Sequence, residues 1–148
     1  METLPFEIAE TAHALRKAFD RRAATLGVTR AQWKVLFRLT REPGLRQVEL
    51  AELLEIEPIT LCRIVDRLEE AGSVERRRDP SDRRAWQLYV TDQARPLVAK
   101  LKAIAAGMME QAFAGLSDAE LEALRDHLTT IRANIAAADT QAKASKQR

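Results

Sequence analysis

A single cysteine, Cys62, stands in the 148 residues, so no disulfide can form within the chain and a cross-linked, secreted scaffold is excluded. Two histidines, His13 and His127, leave too few soft ligands for a zinc site, and no metal or other cofactor is expected. Glycine and proline are scarce, five of each, and aromatic residues make up 5%. That scarcity argues against a β sandwich, a collagen-like repeat and a low-complexity chain. No stretch approaches the roughly 18 uninterrupted apolar residues of a membrane span, and the opening METLPFEIAE is acidic where an export signal would be basic. A cytosolic, cytoplasmic protein with no membrane partner is expected. Neither sign of charge dominates, since 24 Lys and Arg face 22 Asp and Glu for a net +2. What the chain has in quantity is alanine, leucine, glutamate and arginine, the residues of helices. Its length suits one compact domain or two small halves. The bases are unevenly chosen, 18 arginines against 6 lysines, and their placement decides what that means.

Ile8, Ala12, Leu15, Phe19 and Leu26 recur at helical spacing and predict an amphipathic helix from Phe6 to Leu26, closed by Gly27. Thr29 with Gln32 forms a capping box, so a second helix is predicted from about Arg30 to Thr40, with Trp33, Leu36, Phe37 and Leu39 as its core face. Pro43-Gly44 stops it. Gln47 to Leu54 reads as a short third helix. Pro58 suits the first position of a fourth, because proline there gives up an N–H that had no partner. That helix runs to Ala71 and is ended by Gly72. Leu61, Val65 and Leu68 form its stripe, leaving Pro58, Ile59, Thr60, Arg63 and Arg67 free to face outward. In SVERRRDPSDRRAWQLYV, Val74 and Arg76, then Trp86, Leu88 and Val90, alternate with polar neighbours on either side of the turn-forming DPSD. This is a β-hairpin with a long arginine-rich tip, and Trp86 is expected to pack it onto the helices. Thr91 can cap a fifth helix carrying Leu97, Leu101, Ile104 and Met108, ended by Gly115. Ser117 with Glu120 boxes the start of a sixth. There Leu121, Leu124, Leu128, Ile131 and Ile135 repeat three-four-three-four, a seam that wants another helix against it. The remainder, AAADTQAKASKQR, has no large apolar residue and reads as disordered.

Helix, helix, short helix, capped helix and hairpin is the order of a winged helix-turn-helix. The fold class expected is mostly α with a small β-hairpin wing, carried between helical dimerisation arms. The expected division is 1–28 with 92–136 as the dimerisation region, 29–91 as the winged helix-turn-helix and 137–148 as a tail. The seam residues of a homodimer are Leu97, Leu101, Leu121, Leu124, Leu128 and Ile131. From Arg76 to Arg84, nine residues hold five arginines and two aspartates, a local net charge of +3. Guanidinium groups bond phosphate oxygens in parallel pairs and fit the narrow minor groove of A·T tracts better than ammonium does. A hairpin tip can also be basic merely because it is solvated. Its place directly behind a capped helix favours nucleic acid, with Arg83 and Arg84 at the tip and Arg67 on the helix among the contacts.

The stretches LGVTRAQWKVLFRL and QVELAELLEIEPITLCRIVDRLEEAGSVERRRDPSDRRAWQLYVTDQA resemble the MarR (multiple antibiotic resistance regulator) family, nearest to its SlyA-like branch, over about Ile8 to Ile135. The most specific parts are Leu50, Ala51 and Leu54; Arg63, Asp66, Leu68, Glu69, Gly72, Val74 and Arg76 in register; and the run Asp82-Arg83-Arg84. The resemblance implies a homodimeric repressor or activator on double-stranded DNA, its first and last two helices interleaved across a two-fold axis. It implies that Arg84 enters the minor groove with Asp82 orienting it, and that Pro58, Ile59, Thr60 and Arg63 lie at or near the major groove. The operator would be pseudo-palindromic and A·T-rich. One departure is Val90-Thr91-Asp92-Gln93-Ala94, where many members have LTEKG. The missing glycine is expected to shift the fifth helix little.

The family's ligand pocket lies between dimer helices and DNA-binding lobe, which makes His13, Arg16, Trp33 and Phe37 the candidates here. A small aromatic acid would suit them, its ring against Trp33 and its carboxylate against Arg16 or His13. Trp33 and Phe37 also stand at helical spacing, and plain core is the better reading of them. One branch of the family senses peroxide through a cysteine in its first helix, and this chain has none there. Cys62, between Leu61 and Arg63, reads as a small buried hydrophobe, with a redox switch as the alternative. An enzyme is not expected, since there is no phosphate loop, no nucleophile elbow and no histidine placed to activate Cys62. A winged helix that binds another protein is the remaining class, and five wing arginines argue against it.

Overall fold

Apolar residues spaced three and four apart become six helices, and the alternating stretch becomes one hairpin, in a computed structural model that describes residues 3–146. The elements are α1 (Leu4–Ala24), α2 (Arg30–Arg41), α3 (Gln47–Leu54), α4 (Pro58–Glu70), β1 (Val74–Arg78), β2 (Trp86–Val90), α5 (Arg95–Ala112) and α6 (Asp118–Lys146). The signals that set their ends are visible in the bonding. Gln32 N donates to Thr29 Oγ1 at 3.3 Å while Thr29 N donates to Gln32 Oε1 at 3.0 Å, satisfying two N–H groups that no helix carbonyl could reach. Thr91 caps as expected, accepting from Ala94 N at 3.2 Å, but what it caps is a single 3-10 turn, Asp92–Ala94, after which α5 begins.

Residues up to Met109 form one compact unit. Its core takes Leu36 and Leu39 from α2, Leu50 from α3, Leu61 and Val65 from α4, Val74 and Leu88 from the hairpin, and Leu101 from α5, all at most 1% exposed. The expected dimer seam is corrected at Leu101: its surface is spent entirely within this core, and Leu97 is half-buried against it. Both leucines lie on the stripe of α5 that also carries buried Met108, so the unit closes over the side that spacing alone offers to a partner. The chain between α2 and α3 adds a third edge to the hairpin. Gly44 N donates to Leu88 O at 3.0 Å and Leu88 N to Leu45 O at 2.9 Å. Gly44 has φ +83°, a conformation that favours glycine, and a Cβ there would sit 2.7 Å from the Tyr89 hydroxyl and displace that side chain.

Residues from Glu110 onward form a second unit. Ser117 and Glu120 close their box, with Ser117 N donating to Glu120 Oε2 at 2.8 Å, and that N–H holds the Glu120 carboxyl below its ordinary pKa. Phe113, Leu121, Leu124, Leu128, Arg125 and Arg132 line a cleft of about 320 Å³. Leu124 and Ile131 remain 40% and 37% exposed, which is a large apolar surface for one helix to leave in water. The expected disordered tail is corrected as far as the described residues reach, because α6 continues through Lys146. Its alanines, glutamine and lysines are good helix formers with no Gly or Pro among them. Lacking large apolar residues removes a packing face and leaves the propensity intact.

Candidate nucleic-acid interface

Helix α4 is two-faced. Leu61, Val65 and Leu68 are buried, while Pro58, Ile59, Thr60, Arg63 and Arg67 are all exposed, as the spacing predicts. Ile59 is 67% exposed at the start of the helix, where nothing in the protomer covers it. Arg63 and Arg67 have no carboxylate partner among the described residues. Cys62 differs from expectation. It lies beside the buried stripe instead of within it, half-buried on the rim of a groove with Gln47, Asp66, Glu69, Arg76 and Trp86.

Antiparallel pairing sets Arg76 opposite Leu88 and Arg78 opposite Trp86, and strand alternation then sorts the three arginines of β1 by face, while Arg83 and Arg84 lie in the turn beyond it. Arg76 shares the core-side face. Its guanidinium is 14% exposed and bonded to Asp66 Oδ1 at 2.6 Å and Glu69 Oε1 at 3.4 Å, with the Cys62 carbonyl and Gln47 Oε1 also within reach. Its charge is therefore neutralised against α4, and the sequence count of +3 overstates what the wing presents. Arg77 pairs with Glu75 and covers the Tyr89 ring at 4.2 Å. Arg78 lies 4.7 Å over the Trp86 ring and donates to Arg83 O at 2.6 Å. Only Arg83 and Arg84, among the described wing arginines, are exposed with no side-chain partner. Trp86 is a partial correction: it shares the face of Leu88 but is 37% exposed, and Leu88 does the packing.

The tip is held in two ways that sequence reading did not find. Asp82 accepts the Arg84 backbone N–H at 2.9 Å, so it fixes the backbone at Arg84 instead of gripping the guanidinium. Asp79 is 5% exposed and uses both oxygens: Oδ2 accepts from Arg46 Nε at 2.7 Å, and Oδ1 accepts from Ser81 N at 2.8 Å and Ser81 Oγ at 2.7 Å. The Ser81 hydroxyl and N–H, with Arg46 after them, lower its pKa from 3.8 to about 2. The only local signal was an Asp at the mouth of a turn. Because the folded value lies below the unfolded one, this carboxylate stabilises the fold above about pH 4, and that contribution fades as pH falls through 3.8 toward 2. Asp79→Asn should lower the melting temperature by a constant amount between pH 5 and 7, with the gap closing below pH 4. A gap unchanged at pH 2.5 would show that charge is not what Asp79 contributes.

The four ligand candidates are brought together only in part. Trp33 and Phe37 meet at 5.6 Å between ring centres, but both pack on Phe19, at 4.8 and 5.9 Å. The Trp33 indole donates to Asp20 Oδ1 at 3.0 Å, and Asp20 is held below its ordinary pKa first by the Arg30 hydrogen bond. His13 and Arg16 are exposed on α1, with no hydrogen bond or ring contact joining them to the aromatic cluster among the described residues. No group of three or more His, Cys, Asp or Glu converges as a metal site requires among the described residues. No described helix is long and apolar enough to cross a membrane.

A buried three-helix lobe with one helix face left bare, and beside it a hairpin whose free cations sit at the tip, defines a winged helix-turn-helix protein. The MarR family pattern matches residues 28–86, which run from the residue before the α2 cap to the start of β2. Solved structures cover most of the chain. The transcriptional regulator PA3341 is 35% identical, over 89% of this chain and 97% of that one, with a TM-score of 0.79. The transcriptional regulator SlyA is 30% identical, over 89% and 93%, at 0.76. A MarR transcriptional regulator from Methanosarcina mazei Go1 is 26% identical, over 90% and 96%, at 0.80. The chain belongs to the MarR family.

Proposed function

We propose that this protein is a DNA-binding transcriptional regulator, acting as a homodimer on a pseudo-palindromic operator. The observation that carries the reading is the bare face of α4, Pro58, Ile59, Thr60, Arg63 and Arg67, beside unpartnered Arg83 and Arg84 at the wing tip. At these five positions α4 presents cations and small or apolar groups to solvent, which suits base edges flanked by phosphates, with Glu70 exposed at the far end of the helix. Mutant MarR from E. coli, alike in fold at 23% identity, is known complexed with operator DNA, which supports the same use of the fold here. The homodimer rests on the uncovered seam of α6, and residues 1–28 with 92–136 are its proposed arms around the 29–91 reading module. Two-fold pairing would set the reading helices one turn of DNA, roughly 34–36 Å, or a multiple of it apart. The SlyA-like branch rests on the wing motif and the 30% identity to SlyA, while PA3341 is more similar still at 35%. As effector we infer a small aromatic acid, with Arg16 and His13 meeting its carboxylate. To admit its ring, Trp33 and Phe37 must part from Phe19, so binding and helix movement would be one event.

Duplexes selected from a random pool on the parent protein, then measured at 50 and 200 mM salt, test this reading. Affinity should fall on the order of 10³-fold between the two salts, as it does when 6–10 phosphates are neutralised. Arg63→Ala should relax half-site preference by about 1–3 kcal/mol per contact. No selected sequence and no salt dependence would favour a winged helix that binds protein. Repeating the assay with millimolar salicylate tests the effector, and unchanged affinity and melting temperature would remove it from the proposal.

A further inference from the structure

Among the described residues, helices here start on a capping oxygen or, at α1 and α4, with a first-turn proline and no side-chain cap, and α3 alone has neither. Thr29, Thr91 and Ser117 offer oxygens to bare N–H groups, but α3 opens on Arg46. A guanidinium cannot accept an N–H, and a cation at a helix N-terminus faces the positive end of the macrodipole. Glu49 supplies what capping there is, accepting Arg46 N at 2.9 Å. A residue wrong for its local place is explained by what its side chain does elsewhere. Arg46 turns from α3 toward the wing, 33 residues on, and bonds Asp79 at 2.7 Å and Ser81 Oγ at 3.4 Å.

We infer that Arg46 is a positioning residue for DNA recognition: it clips the base of the wing tip to α3 and so fixes where Arg83 and Arg84 are presented. This rests on the DNA-binding reading. The tip between Asp79 and Ala85 is closed on itself by Asp79 N donating to Ala85 O at 3.1 Å. Arg78 grips Arg83 O from the strand side. Among the described residues, the side-chain hydrogen bonds from tip to helical side all come from Arg46. Its own backbone is paired with Gln87 of β2, so the clip starts from a strand edge already in register with the wing. Two exposed guanidinium groups on a loop tied at both ends need lose little freedom on entering a groove, and a loop released at one end must lose it during binding.

The test uses the full chain and the duplex selected on the parent, with A·T or G·C flanks. Arg46→Ser gives α3 a better cap while removing the clip, and a second protein, Arg46→Ser with Asp79→Asn, removes the stranded buried carboxylate in case the first does not fold. We expect faster amide exchange over residues 81–84, and a loss on the order of tenfold in affinity for A·T-flanked duplex with much less for G·C-flanked. In an Arg84→Ala background the same change should cost far less, leaving only what Arg83 contributes, because Arg46 acts through the tip arginines. Equal affinity of parent and variant, or an undiminished loss in the Arg84→Ala background, overturns the inference, the latter by showing that Arg46 touches DNA itself or merely holds the fold. A parent that selects no duplex fails earlier, at the DNA-binding reading, before any variant is compared.

Discussion

Arg84→Ala is expected to weaken operator binding by roughly 5- to 150-fold per half-site, the span of about 1–3 kcal/mol that a good groove contact supplies. The expectation follows from the sorting of the wing: Arg76, Arg77 and Arg78 are engaged by Asp66, by Glu75 and by the Trp86 ring, while Arg84 is free and its backbone is fixed. Two modes of contact are separable. If Arg84 neutralises phosphate, its loss should make the salt dependence shallower by about one unit of slope per site. If it reads a narrow minor groove, the loss should fall on A·T-flanked operators, and replacing those flanks by G·C should matter less to the variant than to the parent. Asp82→Ala should follow in the same direction but more weakly, since Asp82 holds only the backbone N–H of Arg84. A variant that binds as tightly as the parent at physiological salt would place the wing outside the interface and leave α4 alone.

Leu124→Asp combined with Leu128→Asp should separate the dimer. Both side chains line the cleft on α6, and Leu124 is 40% exposed in the single chain, so in the proposed homodimer a second copy is expected to cover them. Two carboxylates there would have to be desolvated without partners. Sedimentation at micromolar concentration should show a monomer, and operator affinity should fall on the order of 10²- to 10⁴-fold as two linked half-site contacts become one. The compact unit up to Met109 contributes no part of that cleft, so its melting transition should be kept. A parent that already sediments as a monomer would refute the homodimer outright.

The parts of this protein that local chemistry governs could be read from the chain. The Thr29–Gln32 box, Pro58 at the head of α4 and the 61–65–68 stripe depend on residues within a turn or two, and they stand where spacing predicts. The parts that were missed depend on distant meetings. Arg76 counted as wing charge because its partners, Asp66 and Glu69, lie on another element; its sharing a strand face with Val74 was the available hint. Asp79 and Arg46 are 33 residues apart. Leu101 repeats with Leu97 on a helical stripe, and periodicity cannot say whether its own chain or a partner covers such a stripe. The concentration of arginines on the wing was legible in the sequence, but which of them are paired and which are left free was not.

Pairing within the wing also changes how the molecule is felt from afar. Beyond about 8 Å in physiological salt, a guanidinium locked to a carboxylate presents a dipole and no net charge. Arg76 and Arg77 are of that kind, and the chain as a whole carries only +2. Long-range attraction toward a polyanion is correspondingly small, so encounter proceeds at the modest rate of a nearly neutral protein. The free guanidinium groups act only after arrival, and the sensitivity of the complex to salt then resides in its lifetime, with the frequency of its formation little affected.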